Sequence, residues 1–254
     1  FAWVFALGDS WQATDRILER YRNADAVDAA VAEAGEFREE RLARFQVETS
    51  DPALSRFVNT WNPLNALVTL DLCRMISTDH MGTDGLRYRD TTQDALAVVG
   101  LDPEFAAARM RQVFSQQTRD GGGCFAFWPH NPNPTTDEPH RSDNTVWPVY
   151  TMKALLAETG DFGLLDEQVA FRDGGAATIH EHLLLGLRHI RQRSGPHGLP
   201  LLFHADWNDG LALFGDEAAE SVMLGMQLAH ACREMAPICR RLGRDADAEW
   251  CRRV

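Results

Sequence analysis

Residues 51–72, DPALSRFVNTWNPLNALVTLDL, are the segment of the chain with the clearest helical pattern. The segment opens on Asp51 and Pro52, and proline is favoured in the first turn of a helix. Apolar residues then recur about every 3.6 positions, the period of an α-helix. They are Leu54, Phe57, Val58, Trp61, Leu64, Leu67, Val68 and Leu72. The pattern predicts one long helix whose apolar face belongs to the core.

Amphipathic helices are also predicted downstream of this segment. They lie around residues 92–99, 105–117, 145–158, 178–193 and 217–242. Long loops rich in Gly, Pro, Asp and aromatic residues separate some of them, over residues 80–90, 120–143 and 194–215. A plain helical bundle usually connects its helices by about two to eight residues. The alternation of short and long connections therefore predicts an all-α fold that supplies about half of an (α/α)6 barrel.

The N-terminal part of the chain has a different pattern. Residues 1–8, FAWVFALG, predict the end of a β-strand, because aromatic and branched residues precede a glycine. A helix follows with Asp9 or Ser10 as its cap. A second helix, predicted over residues 24–45, is dominated by charge, and we interpret it as part of a solvated linker.

Composition excludes several classes of protein. The 254 residues include 25 Lys and Arg against 37 Asp and Glu, so the formal net charge is −12. Such a chain repels nucleic acids and anionic membranes. It has neither an apolar run long enough to span a membrane nor a signal peptide. The five cysteines include no CxxC pair, which predicts neither a disulfide framework nor a zinc site and favours a reducing cytoplasm.

The first chemically rich loop reads GLRYRDTTQD over residues 85–94. Carboxylates accept hydrogen bonds from sugar hydroxyls, guanidinium groups donate them, and the tyrosine can stack on a sugar ring. The alternative is a helix N-terminus capped by Asp90 or Thr91, with the arginines paired to acids.

Two further loops carry similar chemistry. The second comprises residues 122–130, GGCFAFWPH, followed by residues 141–147, RSDNTVW. It fits a carbohydrate cleft, unless Ser142 or Asp143 only caps the next helix. The third ends in ADWNDG, residues 205–210, where burial of a carboxyl beside an indole would raise its pKa toward the range of a general acid. The alternative for this loop is an Asx-rich turn before glycine.

Other chemistries have little support in the sequence. His180 and His182 are two positions apart and so point to different faces of a helix. The HExxH, GxGxxG, GxxxxGK[ST] and GxSxG motifs are absent. The sequence therefore indicates no metal, nucleotide or serine-hydrolase site.

The three loops in this order resemble the inverting disaccharide phosphorylases of glycoside hydrolase family 94. The similarity is carried by RYRDTTQD at residues 87–94, SDN at 142–144 and, most specifically, ADWNDG at 205–210. It extends to VETSDP at 47–52 and NTWNP at 59–63. Members of the family include cellobiose, cellodextrin and chitobiose phosphorylases and the phosphorylase part of cyclic β-1,2-glucan synthases.

The resemblance implies a catalytic (α/α)6 barrel preceded by a β-sandwich domain and a helical linker. We therefore expect residues 1–8 to be the end of the β-sandwich domain, 9–50 the linker and 51–254 the N-terminal part of the barrel. The family's remaining phosphate ligands, a histidine and a Thr-Gly pair, would then lie beyond Val254. On this expectation, the isolated chain is a fragment without robust activity.

The resemblance also implies roles for individual residues. Asp209 falls on the general acid of the family. Trp207, together with its neighbour Asn208, falls in the subsite of the transferred sugar. Arg89 and Asp90 correspond to the pair that grips that sugar. Arg74 corresponds to an arginine that faces phosphate, and Asp84 stands where cellobiose phosphorylases carry another sugar-binding arginine.

The resulting functional hypothesis is inverting phosphorolysis of a β-linked, gluco-configured disaccharide or oligosaccharide to an α-sugar 1-phosphate. Inorganic phosphate is the co-substrate, and no metal or organic cofactor is expected. The resemblance also implies a homodimer. One alternative is an inverting hydrolase, whose second carboxylate would lie about 6.5–9.5 Å from the acid. The other is a sugar-binding fragment without catalysis.

Overall fold

The computed structural model describes residues 3–73, 85–128, 141–213 and 218–254. The chain divides into two compact units, Phe1–Leu64 and Asn65–Val254. The boundary between the units falls inside a helix and lies downstream of residue 51, where the barrel segment is predicted to begin.

The first unit is helical. Its helices are α1 (Trp11–Arg20), α2 (Ala24–Ala43) and α3 (Pro52–Arg56), which continues through a π-helical turn at Phe57–Trp61 into the start of α4 (Asn62–Leu72). Ser10 caps α1 as predicted, because its Oγ accepts a hydrogen bond from the Ala13 amide at 3.2 Å. Neither α1 nor α2 contains a buried residue, as expected of polar helices in contact with water.

Two predictions for the N-terminal part of the chain are wrong. The described residues 3–8 form no strand, because a strand needs a neighbour to accept and donate its backbone hydrogen bonds. The apolar face predicted over residues 51–72 is largely exposed at Leu54, Phe57, Trp61, Val68 and Leu72. Helical spacing shows that residues share a face, but another element must cover that face before it becomes core.

In the described part of the second unit, the end of α4 is followed by six further α-helices. They are α5 (Tyr88–Val98), α6 (Pro103–Phe114), α7 (Trp147–Thr159), α8 (Ile179–Gln192), α9 (Val222–Arg241) and α10 (Asp245–Arg253). Helices α5, α7 and α9 are successive neighbours, while α6 packs against α5 and α7, and α8 and α10 pack against α9. This arrangement confirms the all-α prediction. Helix α10 was not among the predicted helices.

Short antiparallel ribbons connect the loops of the second unit. Strand β1 (Leu86–Arg87) pairs with β2 (Ala126–Phe127), and β3 (Gln168–Ala170) pairs with β4 (Ala176–Thr178). Strands of two or three residues are too short to produce the alternation by which a strand is recognised in sequence. The β1–β2 pair nevertheless matters for the site, because it joins the loop before α5 to the loop before α7.

The core of the second unit lies between its helices. Among its fully buried side chains are Met110, Phe114, Met152, Leu183 and Leu187. A smaller apolar cluster forms around Tyr88 and contains Leu86, Val113, Cys124 and Phe127. No helix in the described part of the chain is both long and apolar enough to cross a membrane.

Candidate active site

Arg89 lies at the centre of a cluster of carboxylates. Its Nη2 donates to Asp209 Oδ1 and Oδ2 at 3.2 and 3.1 Å, and its Nη1 donates to Asp143 Oδ1 at 3.3 Å. The same Nη1 donates to the Asp206 carbonyl at 3.1 Å, and Nε donates to Asp90 Oδ1 at 3.3 Å. The three loops selected from sequence therefore meet at one buried guanidinium group.

Helix α5 places Arg89 in its first turn. The helix begins at Tyr88, with Arg87 as an N-cap whose side chain makes no capping hydrogen bond. The alternative in which Asp90 or Thr91 caps the helix is therefore wrong. The buried Tyr88 ring packs directly against the backbone of Gly123, where an added Cβ would lie 3.0 Å from ring atoms. This contact holds the start of the helix against the second loop.

Asp143 is a buried acceptor rather than a helix cap. The N-cap of α7 is Val146, which makes no side-chain capping hydrogen bond, so the capping alternative for Ser142 and Asp143 is wrong. Trp147 Nε1 donates to Asp143 Oδ2 at 2.9 Å, opposite the contact with Arg89. Burial raises the pKa of Asp143, and the charge of Arg89 only partly offsets this effect.

Asp209 is the accessible carboxylate of the cluster, with half of its side chain exposed. Besides its two hydrogen bonds from Arg89, its Oδ1 accepts from Arg141 Nε at 2.7 Å. Partial burial would raise the pKa of Asp209, but the hydrogen bond from Arg141 and the charges of both arginines outweigh burial and lower it. The two guanidinium groups hold Asp209 as a carboxylate.

Arg141 is a site residue that the sequence analysis did not select. Its guanidinium lies over the Phe125 ring, 4.9 Å from the centroid, and its backbone forms a bridge with Phe203. Its side chain is largely buried. The sequence contained one signal, because Arg141 opens the RSDN segment that supplies Asp143.

The loop that carries Asp209 is built from two Asx turns. Asp206 Oδ1 accepts from the Asn208 amide at 2.8 Å, and Asn208 Oδ1 accepts from the Gly210 amide at 3.2 Å. Asp206 is 3% exposed, and its Oδ2 accepts from the hydroxyl of Ser221, the N-cap of α9. The Asx-turn alternative thus describes the local structure, and the same turn presents Asp209 to solvent.

Of the other site residues predicted from sequence, two lie in the Asp209 loop and two lie outside the described residues. Trp207 is 54% exposed and lies in the Asp209 loop. Asn208 uses its side-chain oxygen in the turn. Arg74 and Asp84 lie outside the described residues.

The histidines of α8 have structural partners. His182 is buried between the Gln117 side chain, at 2.6 Å, and the Val169 carbonyl, at 3.0 Å. Within the described ranges, no group of three or more His, Cys, Asp or Glu side chains is arranged to hold a metal ion.

The arrangement combines an accessible carboxylate, two arginines and an exposed indole. An indole face can pack against the apolar face of a sugar ring, while carboxylate and guanidinium groups bind its hydroxyls. The cluster therefore has the chemistry of a carbohydrate site with one acid accessible for proton transfer.

The chain is similar in sequence to several phosphorylases. It is 29% identical to the N,N'-diacetylchitobiose phosphorylase of Vibrio proteolyticus over 97% of this chain and 33% of that protein. It is 33% identical to the solabiose phosphorylase of Paenibacillus borealis over 78% of this chain and 24% of that protein. A cyclic beta-(1,2)-glucan synthase of Rhizobium meliloti is 31% identical over 93% of this chain and 9% of its own length.

These relatives are much longer than the chain, which spans about a third or less of their length. The family model for the catalytic domain of the glycosyl hydrolase 94 superfamily matches residues 37–254. That region contains the second unit and all the residues of the Arg89 cluster. The chain belongs to the glycosyl hydrolase 94 superfamily, of which it carries catalytic-domain sequence.

Proposed function

We propose that the chain forms the general-acid side of the active site of an inverting β-glycoside phosphorylase. Asp209 is the acid, Arg89 and Asp90 bind the transferred sugar, and Trp207 and Asn208 line its subsite. Arg74 is the proposed phosphate ligand. The contacts of Arg89 with Asp90 and Asp209 support the first of these assignments, and membership of the superfamily supports the proposal for Arg74.

In the proposed reaction, Asp209 protonates the glycosidic oxygen as inorganic phosphate attacks the anomeric carbon from the opposite face. The glycosidic C–O bond breaks, the new C–O bond to phosphate forms with inversion, and the product is an α-sugar 1-phosphate. The reaction needs one carboxylic acid rather than two, because phosphate replaces the water that an inverting hydrolase activates with a base. We propose that the reaction requires no metal or organic cofactor.

The exposure of Asp209 among its neighbours carries this proposal. Four carboxylates lie in the cluster, and Asp90, Asp143 and Asp206 are 9%, 0% and 3% exposed. A general base in a hydrolase must reach a water molecule. Among these four described groups the three other than Asp209 are almost fully buried, so none of them offers an accessible base, which favours a reaction with one acid over the alternative hydrolase.

The hydrogen bonds from Arg89 and Arg141 to Asp209 must weaken before Asp209 can act as an acid. A general acid must carry its proton when substrate is bound, whereas the hydrogen bonds from Arg89 and Arg141 favour the ionised form of Asp209. The proposed substrate therefore has to weaken these contacts as it binds. A sugar hydroxyl that accepts from Arg89 would do so and would raise the pKa of Asp209.

The test is Asp209→Asn in the protein expressed from the complete open reading frame. Phosphorolysis of a natural disaccharide should be abolished, because the alkoxide leaving group needs a proton that an amide cannot supply. A synthetic substrate with an acidic phenol as leaving group should retain far more activity. Product formation by the unaltered protein should depend on phosphate; release of free sugar without phosphate would favour the hydrolase.

Asp206→Asn is the matched control, since it makes the same chemical change three residues away. We expect it to act mainly through the structure of the loop. If Asp206→Asn is inactive while Asp209→Asn cleaves the disaccharide at a near-normal rate, the acid is wrongly assigned.

We also propose that the whole protein is a cytoplasmic homodimer that takes an oligosaccharide and phosphate as substrates. Light scattering of the complete protein would give its oligomeric state.

A further inference from the structure

A cavity of about 390 Å³ lies next to the loop that carries Asp209. Its walls come from the loop after α6, from the turn between β3 and β4, from the C-terminal end of α8, and from the segment just before ADWNDG. Residues from these walls include Asp120, Arg172, Arg193, Phe203 and His204. The volume falls in the range of about 300–1,000 Å³ that is usual for small-molecule sites.

Phe203 has an unfavourable backbone conformation. Its φ of 51° lies in the left-handed region, where a bulky residue with a Cβ is strained. Burial of the ring in the core would explain such strain, but the side chain is 40% exposed and lines the cavity. Strain of this kind concentrates at ligand sites, where the surrounding structure imposes it.

The polar walls of the cavity are already organised. Asp120 accepts hydrogen bonds from Thr118 Oγ1 at 2.6 Å, from the Gly122 amide at 3.0 Å and from Arg193 Nη2 at 2.9 Å. Arg193 Nη1 also lies 2.8 Å from His189 Nδ1. Fixed donors and acceptors beside an aromatic ring match the needs of a sugar, which offers hydroxyl groups and an apolar ring face.

Asp120 gives the cavity an anionic acceptor for sugar hydroxyls. Partial burial favours the neutral form of Asp120, but its hydrogen bonds dominate and lower its pKa to about 2. The group is therefore an anion at neutral pH, and it neutralises Arg193. Sugar hydroxyls can donate to Asp120, and the Arg172 and Arg193 guanidinium groups in the same lining can donate to sugar oxygens.

The cavity is connected to the proposed acid through the backbone. The bridge between Phe203 and Arg141 links the cavity wall to the residue that binds Asp209. On the other side, Asn144 Nδ2 donates to the Cys124 carbonyl at 2.9 Å and so ties the glycine-rich wall to the segment that contains Asp143. A substrate that extends beyond the acid therefore has a second set of contacts nearby.

We propose that this cavity is a distal saccharide subsite, in which a further pyranose unit of an oligosaccharide stacks on Phe203 and donates hydroxyl hydrogens to Asp120. The inference rests on the proposed function and deepens it, because it assigns a binding site to one further sugar unit of the substrate. Arg193 and His204 supply further polar contacts to the same ring.

The test compares trisaccharides with disaccharides in binding, without phosphate, to the protein from the complete open reading frame. The probes are glucotrioses and glucobioses with β-1,2, β-1,3 and β-1,4 linkages, measured by saturation-transfer NMR. We expect one trisaccharide to bind about tenfold more tightly than its disaccharide, which is the gain expected from one well-stacked ring. Equal binding of every trisaccharide and its disaccharide would overturn the proposal.

Two variants at one position separate ligand stacking from a structural role. Phe203→Gly removes the ring and accommodates the positive φ, so the melting temperature should hold or rise while the preference for the trisaccharide disappears. Phe203→Tyr keeps a stacking ring and should keep the preference. A Gly variant that still prefers the trisaccharide, or a Tyr variant that loses the preference, would overturn the proposal.

These measurements do not depend on turnover. Activity of Asp209→Asn toward disaccharides would refute the proposed acid and leave the subsite standing. Loss of the proposed subsite in the binding experiment would leave the assignment of Asp209 untouched.

Discussion

The surroundings of Asp209 include groups that favour its ionised form and others that favour its neutral form. Arg89 reaches it from the first turn of α5, and Arg141 reaches it from the segment before α7. Both contacts favour the carboxylate, while partial burial favours the neutral acid. Because these influences oppose each other, the loss of a hydrogen bond from either arginine should raise the pKa of Asp209.

The replacement Arg141→Gln should raise the pKa of Asp209. The variant removes one positive charge and the 2.7 Å charge-assisted hydrogen bond, both of which stabilise the ionised form. The pKa can be followed by ¹³C NMR of the aspartate carboxyl groups, with Asp209→Asn identifying the resonance. In the complete enzyme, a general acid works only while protonated, so the alkaline limb of kcat/KM should move to higher pH.

Arg141→Lys is the matched control, because it keeps the positive charge. Its pH profile should stay closer to that of the unaltered protein. If Arg141→Gln left the resonance of Asp209 titrating at its original pH, the pairing would not control the acid.

A second prediction concerns Asp206, which joins the acid loop to α9. In Asp206→Asn only the amide oxygen can still accept, so either the Asn208 amide or the hydrogen of the Ser221 hydroxyl loses its acceptor. A buried polar group without a partner costs about 1–3 kcal/mol. We expect a lower unfolding free energy by this amount, measured by denaturant unfolding. Ser221→Ala should also lower the stability, because it removes the hydrogen bond to Asp206 and the N-cap of α9 together. Equal stability of Asp206→Asn and the parent would contradict the role.

At the level of elements, helix ends and short ribbons position the site. Helices α5 and α7 both begin without a side-chain cap, which leaves Asp90 and Asp143 available to contact Arg89. The β1–β2 ribbon and the contact of Ser142 with the Ala205 carbonyl hold the three loops together. The loops are therefore fixed by contacts with each other as well as by the helices they connect.

Replacing Gly121 probes how closely the second loop packs on the backbone of α8. It has a φ of 90°, and an added Cβ would lie 2.3 Å from the Leu185 carbonyl oxygen. Gly121→Ala therefore combines backbone strain with a collision against helix backbone, which cannot move as a side chain can. We expect a loss of unfolding free energy above about 3 kcal/mol, the upper range for local strain alone.

Gly174→Ala is the matched control. Its φ of 95° is similar, but nothing lies within 4 Å of the added Cβ. This variant should lose only about 1–2 kcal/mol, the cost of the left-handed conformation. Equal losses in both variants would show that the approach to Leu185 does not limit the packing. Thermal or urea unfolding of the two variants distinguishes these outcomes.

At the level of the whole molecule, the chain exposes apolar side chains in its first unit. Trp3, Phe5, Leu7 and Trp11 are each more than 80% exposed. Exposed apolar groups of this size are typical of surfaces that contact other protein. The match to only a third of the length of the chitobiose phosphorylase agrees with a catalytic domain that needs further sequence.

We therefore expect the purified 254-residue chain to self-associate and to be a poor catalyst. Light scattering and binding of a hydrophobic dye would detect association, and release of sugar phosphate would measure turnover. The protein from the complete open reading frame is the control. Robust phosphorolysis by the 254-residue chain alone would contradict this expectation.

Local patterns in the sequence determined the helices, the three polar loops and the likeness to family 94. Periodicity and motifs depend on neighbours along the chain, so they can be recognised without a structure. Helix α10 was not predicted, because it is short and polar. The strand predicted at the N-terminus does not form in the described residues 3–8, where no neighbouring strand pairs with it. The resemblance to family 94 selected Arg89 and Asp209, whereas the local chemistry of ADWNDG alone did not distinguish Asp206 from Asp209.

Only the tertiary structure decided which of these residues touch. Arg89 and Asp209 lie 120 positions apart, and Arg141 and Asp209 lie 68 apart. No local preference specifies contacts over such distances, because they arise when packed helices bring their loops together. The same packing imposes the positive φ of Phe203 and leaves the apolar face of residues 51–72 largely exposed. A residue's type limits which contacts it can make, and the packing of distant elements selects among them.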